Sequence, residues 1–366
     1  MKRAILFFTV LIITPCVYLS KGQNAHVEEL ILEGVELHDE GNFKEAIEKY
    51  NEALKLDPGS IHATYELSLS SLALRDYKTA SRYSTEVIES DNRQLSSGAY
   101  AVKSEALAGM DRVDEAIALL QEGLIRNGDE YLLLFNLALN YYKKREIEKT
   151  LEHVKRAIDM DKSHSGAFLL NAYALSDKGL WVQSILSYQM FLLLEPDSKR
   201  SKSAFEEMLN AMHIKTDKEP AERSFARQQT AIDPDMESRP DEIPPLSIEE
   251  GLNRRLVHQS IVATLDSLKN SPGGEENDDF TVFKTVNREI MKVLVEESKG
   301  TKKGVFWTFY IPLFSHIAES EYYDAFCRYI SVSYFPESLE WWQQNPEDAV
   351  DFVIWFEDGD NQTKSK

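Results

Sequence analysis

The residues that most often carry catalysis or bind metal ions are dispersed along this sequence. Its eight histidines do not pair at the spacing of metal ligands, and no HExxH zinc motif occurs. The phosphate-binding patterns GxxxxGKS/T and GxGxxG are also absent from the sequence. The acidic run at residues 357–361 lacks the downstream glutamate of a calcium loop, so we interpret it as a solvated terminus. We therefore predict no catalytic residues, no metal site and no cofactor, and we expect that the protein is not an enzyme.

The N-terminal segment has the pattern of a secretory signal peptide. Two basic residues precede an apolar run at residues 4–13, and small and polar residues follow it. We expect cleavage after Gly22 or Ala25, which assigns residues 1–22 to the signal peptide. The run is far shorter than the ~20 residues that span a bilayer. The pattern predicts an exported protein, periplasmic or associated with the cell envelope, with no integral membrane segment after cleavage.

The two cysteines do not form a disulfide framework. Cys16 follows the apolar run as a lipidated cysteine does, but Pro15 stands where such signals normally have Gly, Ala or Ser. We therefore favour a soluble-protein signal over a lipoprotein signal. After cleavage only Cys327 remains, and we interpret it as a small buried apolar residue rather than a catalytic thiol.

Charge narrows the range of partners. The formal net charge is −20, and no stripe of Lys and Arg interrupts the acidic balance. We therefore expect no nucleic-acid partner, because binding nucleic acid requires a basic surface. With neither a cofactor motif nor a ligand motif present, we also expect no small-molecule ligand. A protein or peptide partner remains.

Small residues recur at a fixed spacing through the first half of the chain. Two series each advance by 34, 36, 34 and 34 residues: Gly34, Ser68, Ser104, Ala138 and Ala172, then Ala46, Ala80, Ala116, Thr150 and Ser184. Short side chains at such a spacing allow two helices of a hairpin to approach closely. In residues 27–60 these positions combine with a closing proline, so the segment resembles the tetratricopeptide-repeat (TPR) family.

The resemblance implies an all-α protein built around an α-solenoid of five TPR helix-turn-helix units at residues 27–198. Residues 199–212 read as a capping helix for the last hairpin. Five of the twelve prolines fall within residues 213–246, which we interpret as a Pro-rich linker. An alternative is that this segment is strapped along the solenoid. Residues 247–358 regain helical periodicity and form a helical, aromatic-rich C-terminal domain of no family that we recognise.

The aromatic residues of this last domain allow two interpretations. Exposed tryptophans stack on sugars, but Trp307, Tyr310 and Phe314 lie one helical turn or two apart, which favours one buried helix face. The C-terminal stretch also contains an apolar stripe of Leu252, Leu256, Ile261, Leu265 and Leu268 after a segment at residues 247–250 that resembles a capping box.

The TPR resemblance also implies a binding surface, because the first helix of each unit lines the inner groove in that family. The positions carried over predict ligand-binding residues at Tyr65, Leu69, Phe135, Leu139, Tyr142 and Tyr173. Ile31 and Val35 stand where carboxylate-clamp TPR domains have polar residues, so that clamp is not carried over. We therefore predict a protein–protein interaction scaffold or adaptor. Coverage of the groove by the C-terminal domain is one alternative; the other is a carbohydrate-binding, outer-membrane-associated lipoprotein similar to TPR-containing glycan receptors.

Overall fold

The computed structural model describes residues 14–214, 251–271, 277–299 and 303–363, and these contain helices and no strand. The chain divides into two compact units, Met1–Met160 and Asp161–Lys366. Most of the predicted signal peptide and nearly all of the predicted Pro-rich linker lie outside the described residues. Those predictions, and the division into domains that rests on them, therefore stay predictions.

Unit 1 is a row of four helical hairpins. In each hairpin the first and second helices pack along one another, and each hairpin also contacts the next. The eight helices are α1 (Thr14–Asp39), α2 (Phe43–Leu56), α3 (Ile61–Ala73), α4 (Tyr77–Glu89), α5 (Arg93–Gly109), α6 (Val113–Asn127), α7 (Tyr131–Lys143) and α8 (Ile147–Met160). The repeat predicted from the sequence is confirmed as successive helix pairs.

The small residues of the repeat lie where the helices of each hairpin meet. All ten are buried, including the polar Ser68, Ser104 and Thr150. At Gly34 an added Cβ atom would lie 2.4 Å from the Tyr50 ring, so only glycine fits beneath that aromatic side chain. The ring of Tyr50 is itself fully buried. Close helix packing therefore explains why these positions carry short side chains.

The turn inside each hairpin repeats with the same spacing as the helices. A residue with positive φ ends the first helix at each of five successive turns: Gly41, Arg75, Asp111, Arg145 and Gly179, with φ between 61° and 83°. Glycine adopts this left-handed conformation without the steric cost of a Cβ atom. Three hairpins form the turn with a larger residue, so the backbone geometry of the turn is a property of the fold rather than of glycine.

Unit 2 contains the fifth predicted hairpin together with all of the later helices. The helices are α9 (Ser165–Asp177), α10 (Trp181–Leu194), α11 (Lys199–Ala211), α12 (Arg254–Asn270), α13 (Asp279–Glu297), α14 (Ile311–Glu319), α15 (Tyr323–Ile330), α16 (Pro336–Gln344) and α17 (Pro346–Thr363), with a π-helical turn at Phe306–Tyr310 directly before α14. Helices α9 and α10 form a hairpin like those of unit 1.

Helix α10 is enclosed on every side. All residues from Val182 to Leu193 are buried, because α9, α11, α12 and α15 contact it. Two buried amides join α10 to α13: Gln189 Nε2 donates to Asn287 Oδ1 at 3.0 Å, and Asn287 Nδ2 donates to Gln189 Oε1 at 3.4 Å. The helices at the C-terminal end of the chain therefore share a core with the fifth hairpin.

Helix α11 packs on α10, as a capping helix would, and its residue Phe205 also contacts later parts of the chain. The ring of Phe205 lies 4.9 Å from that of Phe283 on α13 and 5.5 Å from that of Phe335. Phe205 is fully buried. One face of α11 is therefore buried, while Lys202, Ser203 and Asn210 leave another face exposed.

The three C-terminal aromatic residues at helical spacing form core, as one of the two interpretations predicted. Trp307, Tyr310 and Phe314 are all buried. Cys327 is also fully buried, and burial raises the pKa of its thiol to about 12, which confirms the interpretation as a core residue.

The apolar stripe predicted for α12 is wrong in one position. Leu256 is 42% exposed, and Val257, one helical turn before Ile261, is buried in its place. The helix begins at Arg254, with Asn253 as the N-cap that accepts a hydrogen bond from the Leu256 amide. The predicted capping box at residues 247–250 lies outside the described residues.

Candidate functional site

The inner face of unit 1 consists of the first helices of its four hairpins. Helix α1 contacts α3, α3 contacts α5, and α5 contacts α7, whereas within unit 1 no comparable contact joins the second helices α2, α4, α6 and α8. A row of hairpins whose first helices lie closer together than its second helices curves toward the first helices. The surface of α1, α3, α5 and α7 is therefore the concave one, where the sequence placed five of its six candidate residues.

The six candidates share one level of burial. Tyr65, Leu69, Phe135, Leu139, Tyr142 and Tyr173 are all intermediate, neither fully buried nor freely exposed. Neighbouring positions on the same helices are core: Leu134, Leu137 and Tyr141 are at most 5% exposed. The packing positions of α7 and its partly accessible positions are therefore distinct, as the TPR resemblance implies.

On α3, the two candidates lie against the next hairpin. Tyr65 and Leu69 pack on a cluster formed by Ala80, Val102 and Ala106. The Tyr65 hydroxyl is directed at the backbone of α5, since a Cβ atom added to Gly98 would lie 2.3 Å from that oxygen. Part of each side chain is thus buried by packing against the neighbouring helices, and the remainder stays accessible.

Gly98 is a component of this surface that the sequence argument missed. It is buried inside helix α5, where glycine is about 1 kcal/mol less favourable than alanine. A glycine in a helix interior indicates that something approaches the backbone closely, and here that group is the Tyr65 ring. This composition signal could have located Gly98 beforehand.

On α7, the candidates form part of an aromatic and aliphatic strip. The ring of Phe135 stacks on that of Tyr131, with centroids 5.7 Å apart and planes inclined by 9°. Leu132, in the same first turn, is 43% exposed. Leu139 and Tyr142 continue the strip toward the C-terminal end of the helix. Such rigid, partly exposed aromatic side chains are the usual anchors of protein interfaces.

Polar groups border the apolar strip on α1 and α3. His38 Nδ1 lies 2.7 Å from Ser70 Oγ, which joins the two helices. Burial raises the pKa of the Glu66 carboxyl, with His62 opposing the shift and Asp39 adding to it. Burial, followed by the charge of Glu66, likewise raises the pKa of the Tyr65 hydroxyl. This end of the surface therefore carries the carboxyl groups of Glu66 and Asp39 beside His62.

The sixth candidate, Tyr173, belongs to unit 2. Its ring lies edge-on to that of Tyr188 at 6.0 Å. Burial raises the pKa of its hydroxyl, with the charge of Glu207 adding to the effect. Tyr173 is thus a partly accessible aromatic residue on α9, the first helix of its own hairpin.

Two surface cavities lie away from these six residues. One of about 640 Å³ opens between α2 and α4 in unit 1, and one of about 260 Å³ lies between α14, α15 and α17 in unit 2. Within the described residues there is no group of three or more His, Cys, Asp or Glu arranged to hold a metal ion. None of the helices described there is long and apolar enough to cross a membrane.

Comparison with known sequences identifies the first hairpin. Residues 27–60 match the family described as Tetratricopeptide repeat. The TPR repeat-containing protein MJ1428 of Methanocaldococcus jannaschii is 27% identical over 136 residues, which cover 36% of this chain. The match covers only 24% of that relative's own length.

Solved structures of TPR proteins resemble about half of the chain. PilF of Pseudomonas aeruginosa is 18% identical, with a TM-score of 0.45, over 53% of this chain and 87% of that one. TTC0263 of Thermus thermophilus is 20% identical, with a TM-score of 0.44, over 51% of this chain and 99% of that one.

Proposed function

This chain carries a tetratricopeptide repeat at residues 27–60, and we propose that it is an exported scaffold that holds a protein or peptide segment against its inner face. TPR proteins bind proteins or peptides, and the absence of catalytic motifs from the sequence supports a binding role rather than catalysis. The segment would lie across α1, α3, α5 and α7, in helix-in-groove or extended-peptide recognition.

One observation carries this proposal. The residues predicted to contact a ligand are partly accessible, while the residues between them on the same helices are core. The buried residues hold the apolar and aromatic side chains in place, while one side of these side chains stays accessible to a ligand. Such a surface is preorganised, so binding needs little ordering of side chains. Phe135 is the clearest case, because its ring is held by Tyr131.

The composition of the surface indicates the kind of segment that fits it. Leu69, Phe135, Leu139 and Tyr142 offer apolar contact, and Glu66 adds negative charge at one end. The partner segment should therefore combine large apolar side chains with a basic residue. Aromatic anchors at the centre of such a surface each contribute about 2 kcal/mol or more, which is roughly thirtyfold in affinity.

The test compares two variants with the wild-type protein in parallel captures from envelope extract. The double variant Phe135→Ala/Tyr142→Ala removes the anchors, Leu137→Ala is the matched core control, and the wild-type protein is the reference. A partner that is retained by wild type and lost by the double variant is then purified, and its affinity is measured by calorimetry. We expect an affinity loss of at least about thirtyfold with a nearly unchanged melting temperature.

The core control should behave in the opposite way. Leu137→Ala removes a side chain that is 1% exposed, so it should cost about 2 to 5 kcal/mol of stability. If Phe135→Ala and Tyr142→Ala instead lower the melting temperature as much as Leu137→Ala does, the two aromatic residues are core. The binding surface would then lie elsewhere.

Export has a separate test. Intact-mass spectrometry of the protein purified from its native cell should show the loss of residues 1–22 or 1–25 and no attached lipid. A mass that corresponds to acylated Cys16 would contradict a soluble scaffold and favour the carbohydrate-binding lipoprotein.

A further inference from the structure

A cavity of about 260 Å³ lies in unit 2, and none of the six candidate residues lines it. It is formed where α14 ends, α15 begins and α17 passes beside them, and its lining is His316, Glu319, Ser320, Glu321, Tyr322 and Trp355. Sites for drug-sized molecules usually have about 300–1,000 Å³. The size of this cavity therefore suits a single side chain.

Three rings form the aromatic part of the cavity. The indole of Trp355 lies 5.2 Å from the His316 ring, with planes inclined by 20°, and 5.1 Å from the Tyr322 ring, with planes inclined by 30°. Phe352, which is 2% exposed, supports Trp355 from the core at a centroid distance of 6.4 Å. The rings are therefore fixed in near-parallel planes before any ligand binds.

The cavity also carries two carboxylates without a counter-charge. Glu319 and Glu321 are exposed, and neither side-chain carboxylate forms a hydrogen bond or an ion pair with any residue in the part of the chain that the structure describes. No Lys or Arg lines the cavity. The negative charge at this position is thus available to a ligand.

The position of Glu319 increases this negative potential. It is the last residue of α14, where the unpaired carbonyl groups of the helix already carry partial negative charge. A carboxylate there is locally unfavourable, and a bound cation would relieve the repulsion. The helix end, the carboxylates and the faces of the rings all favour a positive ligand.

We propose that this cavity binds the guanidinium group of an arginine side chain presented by a partner protein. A guanidinium is planar, so it can stack on the aromatic rings while its N–H groups donate to the carboxylates. A lysine ammonium has the charge but neither the plane nor the fork of donors. The site uses none of the six candidate residues and does not depend on the proposed function of the hairpins.

The experiment uses the full chain and three short blocked peptides, Ac-Gly-Arg-Gly-NH₂ and its lysine and citrulline counterparts. Citrulline keeps the shape of arginine and lacks its charge. Binding is followed by NMR through the indole N–H of Trp355, which is assigned by its loss in Trp355→Phe. We expect the arginine peptide to shift this signal, the lysine peptide to bind more weakly, and the citrulline peptide to produce no saturable shift.

Charge variants complete the test. Glu319→Gln/Glu321→Gln should weaken arginine binding about fivefold or more, whereas Glu347→Gln/Asp348→Asn, which removes two exposed charges at the start of α17, should leave it nearly unchanged. Equal binding of the citrulline and arginine peptides would overturn the proposal. An equal loss in both double variants would do so too, since it would indicate a response to net charge alone.

Discussion

The buried amide pair between α10 and α13 offers a sharp test of how unit 2 is held together. Gln189 and Asn287 are both fully buried, and each donates to the other. Gln189→Leu would leave the Asn287 amide without this partner in the core, which costs about 1–3 kcal/mol of the free energy of unfolding. Asn287→Leu should cost a similar amount for the reciprocal reason.

The decisive measurement is the stability of the double variant. Gln189→Leu/Asn287→Leu removes both polar groups together, so its loss should be much smaller than the sum of the single losses. The coupling energy should be about 1–2 kcal/mol, within the range for residues in contact. Gln259→Leu on the exposed side of α12 is the matched control, and we expect it to change stability by less than about 0.5 kcal/mol.

Urea unfolding followed by tryptophan fluorescence is the appropriate assay. All five tryptophans lie within Asp161–Lys366, so the signal reports unit 2 alone, while circular dichroism reports both units. Single variants as stable as wild type, or strictly additive losses in the cycle, would refute the reasoning. Either result would mean that the two amides do not bond across α10 and α13.

Three further predictions follow from other contacts. Arg200 and Ser165 hydrogen-bond to Glu195 and lower the pKa of its carboxyl from 4.5 to about 2. The ionised Glu195 carboxylate therefore stabilises the fold above pH 4.5, and this contribution is lost as the pH falls toward 2. In urea titrations, Glu195→Gln should be less stable than wild type at pH 7 and as stable as wild type near pH 2. Cys327, with a thiol pKa raised to about 12 by burial, should react with Ellman's reagent only after unfolding; rapid labelling of the native protein would contradict its burial. Limited proteolysis should cut first within residues 216–245. The two fragments should nevertheless co-elute in gel filtration, because the contact between Phe205 and Phe283 joins the segment before the cut to the segment after it. Fragments that separate and stay folded would contradict that shared core.

The sequence predicted the hairpin architecture because a repeat encodes local contacts. The two helices of a hairpin follow one another directly along the chain, so the spacing of the small residues locates the close approach. Gly34 beneath Tyr50 shows this directly. The partly accessible positions of α7 followed from the same regularity, since they lie one or two residues from the core positions and so point to a different side of the helix.

The composition of α10 indicates that this helix is covered on all sides. Trp181–Leu194 contains no Asp, Glu, Lys or Arg, whereas the equivalent α2 contains six such residues. A second helix with no charged face must be covered on its outer side. That composition could have predicted that later helices enclose the fifth hairpin.

Other features were decided only by the tertiary structure. Val257 rather than Leu256 faces the core of unit 2 because the start of α12 is set by Asn253 and by packing on α10. The pairing of Gln189 with Asn287 joins residues 98 positions apart, and no period in the sequence relates them. Helices α12–α17 do not repeat, so their partners depend on the shapes and polar groups of distant surfaces. Those surfaces meet only once the chain is folded, and a linear pattern therefore cannot specify them.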